Sequence, residues 1–143
     1  MTNARALTIL GGAIAFGAAI LGIVLALTGR AHIASMGAAT VAMYGFLVVV
    51  GRRPVQRMNF PAPLTPEQAK IVEPIVRVHL AGVTALTTGL FAWMEVAAAL
   101  DRFDLYLWTC GLFVLGILLT LFGMVLKVGR EQARGENRAL WTP

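Results

Sequence analysis

The sequence predicts an all-α, polytopic membrane protein of four transmembrane helices. Three observations carry that expectation. Four apolar stretches, 6–28, 33–50, 75–100 and 105–128, fill most of the 143 residues. Each approaches or exceeds the roughly 20 residues needed to cross a hydrocarbon core. Charged residues make up only 13% of the chain and apolar ones 58%, against about 25% and 45–50% in soluble domains. Finally, stretches 6–28 and 105–126 contain no Asp, Glu, Lys, Arg or His, whereas a water-facing helix carries polar residues along its outer face.

The first stretch is read as a membrane helix rather than a secretory signal. Its apolar run of 23 residues exceeds the roughly 7–15 of a signal h-region. The second stretch follows after Thr28-Gly29-Arg30-Ala31-His32, and the fourth after Asp101-Arg102-Phe103-Asp104. Connections this short force antiparallel neighbours, so the expected architecture is two antiparallel hairpins forming one domain.

Orientation follows from the basic residues. The N-terminus, the connection 51–74, the flanks of the last two spans and the tail 129–143 hold ten of the twelve Lys and Arg residues; the other side holds only Arg30 and Arg102. Basic residues favour the cytoplasmic side, so both termini are expected there, in a multi-pass protein of the inner membrane. Trp93, Tyr106 and Trp108 would then lie toward the outer interface, a depth amphipathic rings prefer.

The connection 51–74 carries Pro54, Pro61, Pro63, Pro66 and Pro74. Proline restricts its own φ and disfavours helix in the preceding residue, so residues 53–64 should be extended or turned. A helix restarts at Thr65, a good N-cap, with Pro66 at the first helical position and Gln68 completing a capping box. Glu67 adds negative charge near the positive helix end, and Pro74 marks an expected kink. The tail after Gly129 alternates charges and is expected to extend the helix into solvent.

Inside lipid, helices associate through close packing of small residues. Span one offers two such stripes, Gly11/Ala15/Ala19 and Ala18/Gly22/Ala26. Span two offers Ala34/Ala38/Ala42 and the pair Gly37/Gly45. These faces are expected to meet within the first hairpin or to serve a partner or homo-oligomer.

Glu95 is the principal candidate for chemistry. It interrupts the apolar run of span three about 9 Å below the turn at Asp101, taking six residues at about 1.5 Å each. Intramembrane carboxyls are costly and functional by default; the structural alternative is a carboxyl near the interface, hydrogen-bonded to a neighbour or protonated. Thr84 and Thr88 share its face, and Arg102 lies two turns away, near enough to lean toward it. Arg52, Arg53 and Arg57 form a basic cluster suited to anionic lipid headgroups.

Other chemistry lacks raw material. His32 and His79 fall on opposite sides of the membrane, which disfavours a haem held by both. Cys110 is the only cysteine and Ser35 the only serine. No phosphate loop, zinc-binding helix or serine nucleophile motif appears. Basic residues interleaved with aromatics are missing too, so no nucleic-acid partner is expected. The expectation is no enzyme, no cofactor and no metal. Small multidrug transporters share the span count, but they carry a glutamate in the first helix, where this chain has no charge.

The string Pro54, Asn59-Phe60-Pro61, Thr65-Pro66-Glu67-Gln68-Ala69 resembles the segment between helices two and three of small SdpI-like bacterial membrane proteins, an immunity and signal-transduction family. The resemblance covers about 20 residues and the four-span layout. The family's loop after helix one, with histidine, asparagine, glycine and aspartate, is absent here, as is a tyrosine a turn into the third helix. No site residue is carried over. The sequence therefore favours a non-catalytic membrane protein acting through association with a partner or itself, as an accessory subunit, immunity or signalling component. The alternative is a small oligomeric transporter or proton-coupled carrier using Glu95.

Overall fold

The computed structural model describes residues 2–58 and 64–140, with side chains omitted at 2, 56, 103–105 and 135–140. Four α-helices account for nearly all of it: α1 (Thr2–Leu27), α2 (Ala31–Gly51), α3 (Pro66–Ala99) and α4 (Phe103–Leu140). Each contains a segment long and apolar enough to cross a membrane. The expected spans lie within these helices apart from a residue or so at the turns; α3 starts nine residues earlier than span three, and α4 continues through most of the tail. Asn59, Phe60 and Pro61, which carry part of the family resemblance, lie outside the described residues, as does Pro63.

The helix starts and stops have local causes. Thr65 caps α3 with both bonds of a capping box: its Oγ1 accepts from the Gln68 amide at 3.2 Å, and its own amide donates to Gln68 Oε1 at 3.0 Å. These satisfy two of the orphan donors of the first turn. Pro74 lies within α3, which continues as helix through it to Ala99. Gly29 turns the chain after α1 with φ +83°, a conformation that costs glycine nothing. Asp101 turns it after α3 with φ 53°, in the region that Asp tolerates better than most residues.

The third helix is the centre of the molecule. Among the described residues it packs against all three other helices, whereas α3 is the one helix that α4 packs on. From Val78 to Ala99 no residue of α3 is fully exposed. The least apolar of the four membrane-length segments is thus at the centre of the packing, an arrangement that suits a solvent of lipid tails. The apolar residues Leu107, Leu112, Leu119 and Phe122 of α4 and Ile9, Phe16 and Ile23 of α1 face outward.

The seam between α3 and α4 runs antiparallel with a three–four spacing. A β-carbon added at Gly123 would meet His79, one at Gly82 would meet Thr120, one at Gly116 would meet Leu86, and one at Gly89 would meet Phe113. The series ends where Trp93 Nε1 donates to Thr109 Oγ1 at 2.6 Å. Each step forward on α3 matches an equal step back on α4, and a glycine faces a larger side chain at four successive levels. Trp93, expected at the outer interface, is thereby tied into the seam. Trp108 is exposed.

The buried face of α1 is one stripe, Gly11, Ala15, Ala18, Gly22 and Leu25. It takes two residues from each expected small-residue stripe, because a three–four alternation follows helix periodicity better than a strict four. On α2 the enclosed face is Ile33, Gly37, Thr40, Tyr44 and Leu47, leaving Ala38, Ala42 and Gly45 exposed. Tyr44 lies over Gly11 and Gly12, where an added β-carbon would come within 3.2 and 2.9 Å of its ring and hydroxyl. Its Oη donates to the Thr8 carbonyl at 3.0 Å.

The described part of the connection after α2 is turned, as its prolines suggest. Val55–Arg57 forms a 3-10 turn, and Val55 is buried with Val72 and Val76 of α3 and Val128 of α4. This small cluster anchors the connection at one end of the bundle. At the other end, Arg30 donates to the Ala99 carbonyl and lies 3.6 Å from the Asp101 carboxylate, joining the two short turns.

Candidate functional site

The sequence gives α3 one face with Thr84, Thr88 and Glu95 at intervals of four and seven residues, which helical periodicity aligns. The structure buries all three against α1 and α2. The threonines satisfy themselves locally: Thr84 Oγ1 donates to the Leu80 carbonyl at 2.8 Å, and Thr88 Oγ1 to the Thr84 carbonyl at 2.7 Å. Thr40 of α2 is also fully buried and bonds back to Met36 at 2.9 Å.

Glu95 differs. It has no exposed surface, and neither of its carboxyl oxygens has a hydrogen-bond partner. The expected bond to a neighbour is not formed. Arg102, expected to lean toward it, lies exposed at the turn beyond α3. The surroundings of the carboxyl are built by two glycines. A β-carbon on Gly37 would sit 2.8 Å from both Glu95 Oε1 and the Ala18 carbonyl oxygen. One on Gly22 would sit 3.2 Å from both Glu95 Oε1 and the Ala34 carbonyl oxygen. The carboxyl thus enters a gap where α1 and α2 approach closely, near main-chain acceptors. Most buried polar side chains have a partner, so each exception calls for an explanation.

The sequence marks Glu95, Thr88 and Thr84 as a polar face, but Gly22 and Gly37 only as packing residues, and it gives no sign of Thr40. The three–four spacing of small residues along α1 and α2 was the available signal. His79 Nδ1 bonds the Ile75 carbonyl at 2.7 Å, and His32 is exposed at the start of α2. Among the described residues, no three metal-ligating side chains come together. Arg52, Arg53 and Arg57 are exposed at the end of the bundle opposite Glu95. Arg52 also borders a cavity of about 490 Å³ between α1, α2 and α3, which reaches down to Thr84. No family model, curated protein or solved structure matches the chain, so the meaning of the site rests on its geometry.

Proposed function

We propose that this chain is a small, non-catalytic, proton-coupled carrier of the inner membrane, with Glu95 as the group that binds and releases the proton. The bundle would sit as two antiparallel hairpins with both termini in the cytoplasm. The observation supporting this reading is the Glu95 carboxyl, fully enclosed among three helices with no donor for either oxygen. A charge held there is costly. Nearby main-chain oxygens of Ala18 and Ala34 accept hydrogen bonds and donate none. A proton is the component that lets the carboxyl act as donor toward them. Release of that proton leaves an uncompensated charge at the α1–α2 crossing, which favours opening the gap to water. Proton occupancy is thereby linked to helix packing.

Thr88 and Thr84 continue the polar face toward the cavity at the far end of α3. The distance from Glu95 to Thr84 along the helix is eleven residues, about 16 Å. This gives a direction for access, from the end that holds the arginines.

The test is proton flux into vesicles containing the purified protein, driven by an imposed potential and read with an internal pH dye. Wild type should acidify the lumen, and Glu95→Gln, which keeps shape but cannot release a proton, should reduce the rate to that of empty vesicles. Equal flux from wild type and Glu95→Gln, or none from wild type, rejects the carrier reading.

Association with a partner or a second copy, the function favoured on sequence, retains one supporting observation. Ala38, Ala42 and Gly45 form a small-residue strip on the outer face of α2. The small residues of α1, by contrast, are mainly spent on contacts within the chain.

A further inference from the structure

The cavity at the far end from Glu95 has a composition that the proton-carrier reading does not use. Arg5 of α1, Arg52 at the end of α2 and Arg77 of α3 all border it. Each arginine belongs to a different chain segment, so the fold brings the three to the border of one cavity. Arg77 is paired with Glu73, Nε to Oε1 at 2.8 Å. Among the described residues, no carboxylate pairs with Arg5 or Arg52. Three positive groups and one acid leave an excess of positive charge at the mouth.

Below the mouth the walls turn apolar, with Leu47, Val48, Val78 and Leu80. Ile9 also borders the cavity, yet is 71% exposed on the outside of the bundle. The cavity therefore opens sideways onto the apolar surface as well as toward the arginines. A volume of about 490 Å³ lies in the usual range for a small-molecule site.

We propose that this cavity binds the headgroup of an anionic phospholipid, with Arg5, Arg52 and Arg77 as ligands of its phosphate and the chain leaving past Ile9. Guanidinium groups match phosphate oxygens through paired, charge-assisted hydrogen bonds. Basic pockets between membrane helices suit such headgroups. A free phosphate ion would find the same arginines but gain nothing from apolar walls or a lateral opening. The site is more local than a general attraction of the basic cluster for lipid, since Arg53 and Arg57 do not border the cavity.

The experiment is native mass spectrometry of the full chain in mild detergent, titrated separately with phosphatidylglycerol, phosphatidylcholine and inorganic phosphate. Phosphatidylglycerol should bind at least about tenfold more tightly than phosphatidylcholine, and replacing all three arginines by Gln should weaken it about a hundredfold. Arg53→Gln with Arg57→Gln removes two charges outside the cavity and should change affinity by less than about threefold at physiological salt. A steric variant leaves every charge in place. Gly51 borders the cavity, and a β-carbon there would meet nothing within 4 Å, so Gly51→Phe should fill the space and lower phosphatidylglycerol binding without disturbing the helices. Three results would overturn the proposal: equal losses from the two arginine sets, unchanged binding in Gly51→Phe, or displacement of the lipid by equimolar inorganic phosphate. Lipid binding is read without reference to proton flux, and the carrier reading has its own test in the flux difference between wild type and Glu95→Gln, so failure of one is distinguishable from failure of the other.

Discussion

Glu95 and its two glycines form the residue-scale device of this protein. The glutamate was legible in the sequence as the one acid inside a span. Its surroundings were not, because the close neighbours of a side chain in a bundle depend on how helices cross. Gly37 is where the consequence is sharpest. A methyl group there would press on the Ala18 main chain as well as on the carboxyl, both at 2.8 Å, and a backbone carbonyl within a helix has little room to yield. Gly37→Ala should therefore destabilise the bundle by about 1–3 kcal/mol, as overpacking does. Gly45, on the same helix, has nothing within 4 Å of an added β-carbon, and Gly45→Ala should change stability by no more than about 0.5 kcal/mol. Reversible unfolding in mixed micelles compares the two. Equal effects would mean that α1 and α2 do not cross at Gly37.

Among the elements, α3 shows what periodicity and capping chemistry can and cannot reveal. Its start was readable from Thr65, Pro66 and Gln68, because a capping box depends on residues three apart in sequence. Its partnership with α4 was not readable in detail. The glycines at 82, 89, 116 and 123 look like ordinary membrane composition until the two helices are placed side by side. The four-residue stripes expected on α1 matched the buried face only in part for a related reason: contact alternates by three and four, and two of the three residues of each stripe lie on it. On α2 the misfit leaves a strip of small residues outward. If that strip mediates self-association, Ala42→Cys in a Cys110→Ala background should yield a disulfide-linked dimer in native membranes under mild oxidation. Phe122→Cys, on the outer face of α4, should yield none. Equal yields at both positions would indicate random collision and remove the association reading.

At the scale of the whole molecule, composition and the four long apolar runs were enough for the all-helical, membrane-crossing class, because lipid permits few alternatives to satisfied helices. The order of packing was hidden, since hydropathy says how a helix meets lipid and not which helix it meets. The structure puts the most polar span at the centre, with α1 and α2 on one part of its surface and α4 on another. A lone carboxyl and its threonines thus lie inside the three-helix group, and the arginines border a cavity at its far end. The central claim is that this enclosed carboxyl exchanges a proton within the folded bundle. Infrared difference spectroscopy of the protein in lipid vesicles, recorded across a pH titration, observes it directly. Beside the bands of the exposed acids, which both proteins share, the account predicts a further carboxylic C=O stretch that appears and disappears with pH in wild type and is missing from Glu95→Gln. A spectrum in which no such band titrates, or in which the same band persists in Glu95→Gln, would contradict it.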